Sequence, residues 1–243
     1  MTNHPEISVI IPVANEAAVL PACLARIAGS PHEIIVVDAA SDDQTVVLAE
    51  AAGCRVVPAG QRHRARQMNL GARQARGRIL LFLHADTWLP PNALPRIIEA
   101  IDRRHALGGG FARRYRSSSP TLALSSRLAG LRNRIWGWHL GDQAIFVRLD
   151  IFEQSRGYRD LPIFEDLDFS RRLRSLGKTV TLTPPVYSSA RRFVAKGPLR
   201  TTWHDLLLTR QYLLGGDSND PPQADCQPRD DRLKALQTHE RLS

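Results

Sequence analysis

The sequence predicts an α/β protein built on a mostly parallel central sheet with helices on both faces. Three observations carry this. Strand-like and helix-like segments alternate four times in the first ninety residues, the pattern of successive right-handed crossovers. The strand segments ISVIIPV, EIIVVD and RILLFLH are nearly continuous in apolar residues, as strands covered on both faces must be. The chain of 243 residues is 43% hydrophobic and 23% charged, which excludes a chain disordered throughout and any collagen-like repeat.

Taken in order, Ile7–Val13 is the first strand, and the spacing of Ala, Leu and Ile over 17–27 predicts a helix. Glu33–Asp38 is a second strand, followed by a helix capped by Ser41 or Asp42 and closed by Gly53. Arg55–Val57 is a short third strand, 65–75 a helix, and 78–84 a fourth strand. Pro90 and Pro91 open a helix to about Arg103. A glycine-rich strand, Gly108–Tyr115, precedes a helix over Pro120–Trp136. Then come a strand at 144–148, a helix over Glu165–Leu176 stopped by Gly177, and a last strand at 178–182. From Gly215 the composition turns to Asp, Pro, Gln and Asn, the composition of a loose tail.

Basic residues outnumber acidic ones 33 to 24, a net charge of +9. Such a field favours nucleotides, nucleic acid or an anionic lipid surface. Cys23, Cys54 and Cys226 form no CxxC pair, so neither a zinc knuckle nor a disulfide framework is expected. The longest apolar run, Ile79–Leu83, is far short of the about 20 residues that span a bilayer. The opening MTNHPEISVIIPV lacks the basic and apolar regions of a secretory signal, which predicts a cytoplasmic protein.

In an open parallel sheet, ligands bind beyond the C-terminal ends of the strands. Glu16 follows the first strand, Asp38 ends the second, and His84 and Asp86 follow the fourth. Helix capping accounts for one nearby acid, Asp43, but three acids delivered to one edge of an arginine-rich chain predict a site. No GxGxxG or GxxxxGK[ST] is present, so a bound nucleotide needs its diphosphate neutralised by other means. A divalent cation held by a carboxylate is one.

In this order and spacing, ISVIIPVANE, IIVVDAASDDQT, ARQMNLGARQARGRILLFLHADT and EDLDFSRRLRSLG resemble a family 2 glycosyltransferase of the GT-A fold, a Rossmann-like sheet with a C-terminal helical extension here. With LHADT, GDQAIFVR and SARRF, the resemblance extends to the bacterial subgroup called radical-SAM/selenodomain-associated transferase 2. It implies a domain over 1–214: a nucleotide-sugar half at 1–105, an acceptor and catalytic half at 106–198, an amphipathic helix at 199–214, then a flexible tail at 215–243. It implies inverting, metal-dependent transfer of a single sugar from a nucleotide-sugar to an acceptor hydroxyl, lipid-linked or small. The QxxRW motif of processive members is absent.

Residue by residue, the resemblance puts Pro12, Glu16 and Asp38 around base and ribose. Arg66 falls where the family has an arginine that touches base or phosphates, and a solvated helix arginine is the other reading. The family's Asp-x-Asp is His84-Ala85-Asp86 here, so Asp86 would hold Mn²⁺ or Mg²⁺. Three roles are open to His84: ligand, sugar contact or packing. Glu165-Asp166 matches the family's ED motif, with Asp166 as the base that takes the acceptor proton and Glu165 beside acceptor or sugar. Asp142 and Gln143 are expected at sugar or acceptor. Arg191 and Arg192 would cover the diphosphate, unless they form a basic surface patch. The helix at 199–214 could lie on a membrane interface, at the inner face of the plasma membrane, or pack on the core or a second copy. Two rival functions are a sugar-phosphate nucleotidyltransferase, whose glycine-rich phosphate loop is missing, and a non-catalytic nucleotide or nucleic-acid binder. No RNP, KH or zinc-finger pattern supports nucleic acid.

Overall fold

The computed structural model describes residues 5–27 and 32–213. The elements run β1 (Ile7–Val13), α1 (Leu20–Leu24), β2 (Glu33–Asp38), α2 (Thr45–Ala51), β3 (Arg55–Pro58), α3 (Arg64–Gln74), β4 (Ile79–Phe82), α4 (Ala93–Asp102), β5 (Gly108–Tyr115) and α5 (Pro120–Trp136). A 3-10 turn (Gly141–Gln143) follows, then β6 (Ile145–Arg148), α6 (Leu149–Gln154), α7 (Glu165–Leu176), β7 (Thr179–Ser188), α8 (Arg191–Lys196) and α9 (Pro198–Leu213). The strands form one sheet in the order β3-β2-β1-β4-β6-β5-β7. Strand β6 runs antiparallel to β4 and β5, and every other pairing is parallel. The mostly parallel, helix-flanked sheet is the one the sequence predicts.

Alternation along the strands explains the two covered faces. Val9, Ile11 and Val13 of β1 join Leu20 and Cys23 of α1 and Leu94 and Ile97 of α4 in one core. Ile10 of β1 points the other way and packs with Ala65 and Met68 of α3 and Phe169 and Leu173 of α7. Gly71 lets α3 lie directly on the sheet, since a Cβ there would stand 2.5 Å from Ile10 Cγ2.

Some local expectations are corrected. Helix α1 is shorter than 17–27: Pro21 has no N–H to give the Ala17 carbonyl, so the turn in which Val19 and Leu20 bond the Glu16 carbonyl does not join the helix, and Ala17 N–H bonds Asp43 instead. Neither Ser41 nor Asp42 caps α2. The Asp43 carboxylate accepts the Thr45 N–H at 2.9 Å, while Ser41 turns to Asp38. Strand β7 passes Leu182 and continues through Pro184 and Pro185 to Ser188, with its register against β5 shifting there. It is an edge strand, where proline is tolerated. The expected tail at 215–243 and Cys226 lie outside the described residues. Cys23 and Cys54 are buried free thiols, and burial pushes them up to about 12 and about 11.

Candidate active site

The C-terminal ends of β1, β2, β4, β5 and β7 share one edge of the sheet. Because β6 is inverted, its beginning lies on that edge too, and it carries the Gly141–Gln143 turn there. Loops at this rim are held in unusual backbone conformations. Asn15, Ala40, Ala144 and Phe164 have φ between 49° and 64°, each at a cost of about 1–3 kcal/mol that the surrounding contacts must offset.

On the donor side, Asp38 is buried and accepts the Ser41 N–H at 3.0 Å and its hydroxyl. Ser41 Oγ in turn accepts the Asn15 N–H at 2.9 Å, tying the end of β2 to the loop after β1. Pro12 is half-buried inside β1, opposite Val37. Glu16 and Asp86 meet through one cation: Arg191 Nη2 lies 3.2 Å from Glu16 Oε2 and 3.1 Å from Asp86 Oδ2. Burial raises Glu16, and Arg191 works against that rise. Arg116 donates to the Asp86 carbonyl at 2.8 Å. Its guanidinium and that of Arg26 each lie 3.8 Å from the Trp88 ring centre.

On the other side, Asp166 opens α7 half-buried. Its Oδ2 accepts the Gly141 N–H at 2.6 Å, and its Oδ1 accepts the Leu167 N–H at 2.6 Å. Burial raises its pKa, and the two amides oppose the rise. Gly141 is needed because a Cβ there would stand 2.7 Å from His84 Nε2 and 3.2 Å from Asp166 Oδ2. The imidazole and the carboxylate therefore face each other across this glycine. Burial, with Arg64 adding to it, lowers His84 to about 4, so the ring is neutral at pH 7. Glu165 is only 6% exposed, beneath the rim; burial and then the charge of Asp166 raise it to about 7.

Asp142 Oδ2 pairs with the buried Arg113 at 2.5 Å. Gln143 is fully buried, and its amide is spent inside the protein: it donates to the Phe111 carbonyl at 2.8 Å and accepts from Arg132 at 2.6 Å and Leu140 N–H at 3.1 Å. Direct contact of Gln143 with a sugar is thereby replaced by positioning of the turn. Arg66 points away from these acids and forms a bidentate pair with the exposed Asp160, at 2.7–3.1 Å. The Arg192 side chain lies outside what is described. Asp168, next to the ED pair, is a structural hub that binds Arg159, Arg172 and Tyr212.

The sequence reading missed Arg64. It is exposed, no hydrogen bond or ion pair engages it among the described residues, and its charge acts on Glu16, His84, Glu165 and Asp166. Two residues along a helix turn the side chain by about 200°, so Arg64 and Arg66 cannot face the same way. Several buried polar atoms at the rim have no partner among the described residues: His84 Nε2, Asp142 Oδ1, Arg116 Nε and Trp88 Nε1. Such atoms call for a ligand or water. By contrast, a cleft of about 510 Å³ at the opposite end of the sheet is lined by the mutually neutralised pairs Arg78–Asp102 and Arg148–Asp150.

No cluster of three or more His, Cys, Asp or Glu is arranged for a metal among the described residues. One point nevertheless draws positive charge, the spot between Glu16 and Asp86 that Arg191 Nη2 fills. Two carboxylate oxygens are fewer than the six that Mg²⁺ takes, so a cation there needs further oxygens, from water or from a bound diphosphate.

A mostly parallel α/β sheet with acids and arginines gathered at one rim is the architecture of the GT-A glycosyltransferases. The fold matches Staphylococcus aureus TarS 1–349 in complex with UDP-GlcNAc at TM-score 0.61 and 19% identity, over 76% of this chain and 58% of that one. It matches the mannosyltransferase PcManGT from Pyrobaculum calidifontis in complex with GDP-Man and Mn²⁺ at TM-score 0.62 and 21% identity, over 77% and 57%. The family described as Glycosyl transferase family 2 matches residues 8–196, and the chain belongs to it; it is a glycosyltransferase. Relatives named undecaprenyl-phosphate 4-deoxy-4-formamido-L-arabinose transferase include that of Pseudomonas paraeruginosa, 35% identical over 46% of this chain and 37% of its own length. That of Klebsiella pneumoniae is 30% identical over 61% and 50%. The chain spans half or less of these curated relatives. The nucleotidyltransferase and non-catalytic alternatives give way to sugar transfer.

Proposed function

We propose that the protein transfers a single sugar, with inversion, from a nucleotide-sugar donor to an acceptor on a lipid carrier or small molecule. In this reading Pro12, Glu16 and Asp38 line the base and ribose, and the diphosphate lies over Asp86, with Arg64, Arg191 and Arg192 as its cationic partners. Arg66, engaged by Asp160, is a weaker candidate for that role. Asp86, with phosphate oxygens, would hold Mn²⁺ or Mg²⁺; that cation would neutralise the charge that develops on the leaving diphosphate. Arg191 then exchanges its carboxylate pairing for the phosphates, which are better partners for a guanidinium. The complexes of UDP-GlcNAc and of GDP-Man with Mn²⁺ in structural neighbours support this class of donor and cation.

Attack on the anomeric carbon from the face opposite the diphosphate passes through an oxocarbenium-like state. Asp166 accepts the acceptor's proton as the new bond forms. The observation that carries this assignment is its seating: two backbone amides fix the carboxylate's orientation, while burial raises its affinity for a proton. Neutral His84 offers Nε2 to a sugar hydroxyl, and Asp142 offers Oδ1. Glu165 sits beside Asp166 on the acceptor side and is itself raised by the Asp166 charge, and Gln143 holds the turn. The motifs LHADT, GDQAIFVR and SARRF keep the radical-SAM-associated subgroup within the proposal. The names of the relatives favour an undecaprenyl-type acceptor, and thus a place at the inner face of the plasma membrane.

Asp166→Asn tests the reading. It is expected to lower transfer to a hydroxyl acceptor by about 10²–10⁴-fold while donor binding, read by thermal shift, persists. A wild-type rate would refute the base assignment and favour a second reading, in which the acceptor is a lipid phosphate that is already ionised and needs no base.

A further inference from the structure

Helix α5 has apolar residues on two faces. Leu122 and Ala129 face the protein. Leu124, Leu128, Leu131 and Ile135 form a second stripe, at intervals of four, three and four residues, and each is 53–56% exposed. This spacing puts the four side chains within about 60° of arc on one face. Helix α9 packs beside α5 and adds Trp203, 66% exposed, and Leu207. Of the 199–214 segment read from sequence as an apolar face, the side chains of Leu199, Leu206, Leu213 and Leu214 lie outside those described. The stripe on α5 was not foreseen.

The charge around this patch is segregated. No Asp or Glu occurs from Arg103 to Gly141 or from Phe169 to His204, stretches that supply all of α5 and α8 and the start of α9 and carry many arginines. Arg127 and Arg134 are exposed along one flank of the stripe, and Trp136 lies on the other. Apolar side chains bordered by arginine and tryptophan match the depth profile of a bilayer interface. A second copy is a poorer occupant, since a two-fold contact would bring the arginine flanks of two α5 helices together. On the inner side, Arg132 donates to Trp138 O at 3.2 Å and to Gln143 Oε1 at 2.6 Å, and the same turn holds Asp166.

We propose that the outer face of α5, extended by Trp203 and Leu207 of α9, docks on an anionic phospholipid bilayer and sets the catalytic rim at the headgroup level. The inference deepens the lipid-acceptor part of the proposed function. No helix among the described residues is long and apolar enough to cross a membrane, and the docking is interfacial. The arginine flank supplies attraction that salt weakens, and the leucine stripe supplies burial that salt does not.

The test is flotation of the full chain with phosphatidylglycerol-containing vesicles and with phosphatidylcholine vesicles, at low and high salt, for wild type and for Leu128→Glu/Ile135→Glu. Both substituted residues are exposed, and neither is placed in the proposed site. The expected result is binding to the anionic vesicles, weakened by salt and lowered about tenfold or more in the double variant. A second measurement needs no variant: quenching of tryptophan fluorescence by brominated lipid, expected through Trp136 and Trp203. Absence of flotation at low salt, flotation unchanged in the double variant, or absence of quenching each overturns the proposal. So does a wild-type dimer that the double variant dissociates, because the patch is then a contact between copies. Thermal stabilisation by nucleotide-sugar is read on the same samples. Its loss without loss of flotation would count against the transferase site and leave the docking surface standing.

Discussion

The two sides of the rim are built differently. Around β1, β2 and β4, Glu16 and Asp86 share the Arg191 guanidinium, and Asp38 is tied to the N–H and hydroxyl of Ser41. Around β6 and α7, Asp142 pairs with Arg113, while Asp166 is set by backbone, through the amides of Gly141 and Leu167. Arg191 can leave when a phosphate arrives, whereas the amides of the Gly141 turn and of α7 cannot. The first arrangement suits a site that exchanges partners on binding a ligand, and the second suits a group that must hold one orientation through a reaction.

The sharpest way to break this contrast is at Gly141. Gly141→Val places a side chain against His84 Nε2 and Asp166 Oδ2. The expected result is a fall in kcat of about 10²-fold from misplacement of the carboxylate, with the donor-side KM within a few-fold of wild type. If the donor KM rises steeply as kcat falls in steady-state kinetics, the two sides are not separable as described.

A smaller effect is expected on the exchangeable side. Arg191→Ala removes the shared partner of Glu16 and Asp86. Nucleoside diphosphate affinity should weaken about tenfold, while Mn²⁺ added without nucleotide binds more tightly because its competitor is gone. Calorimetry checks both. Unchanged Mn²⁺ binding would mean that Arg191 does not occupy the cation's place.

The smallest effect concerns stability. Glu165 is ordinarily near 4.5 and is raised to about 7 in the fold by burial and Asp166. A raised carboxyl binds its proton more tightly in the folded state, so its ionisation destabilises the fold as pH rises from 4.5 through 7. Glu165→Gln should therefore gain steadily on wild type across that window, read by urea unfolding. A difference that does not change with pH would show Glu165 to be solvated.

The same contrast explains what the sequence made legible. Apolar runs such as IIVVD identify strands, and in a parallel sheet the residue after the strand lands at the ligand edge. Periodicity carries no sign of direction, so nothing in IFVR shows that β6 is inverted. The Gly141–Gln143 turn was reached through family resemblance alone. Nor does a list of polar residues separate Gln143, wholly consumed by the fold, from Asp142, which keeps a free oxygen. In sequence, TPPV reads as a breaker at the end of the 178–182 strand, and an edge position accommodates it. A motif match points to Arg66, whereas helix phase and the reach of its charge bring Arg64 to the acids. On α5 the two apolar faces cancel in an amphipathic reading, which hid the exposed one.

The central claim is that acids from separate strands converge on one diphosphate-and-cation site, with Asp166 outside that binding step. Calorimetric titration of a nucleoside diphosphate, with and without Mn²⁺, into wild type, Asp86→Asn and Asp166→Asn tests it most directly. The account predicts Mn²⁺-dependent binding in wild type and Asp166→Asn and its loss in Asp86→Asn. Equal binding by all three proteins, indifferent to Mn²⁺, would contradict it.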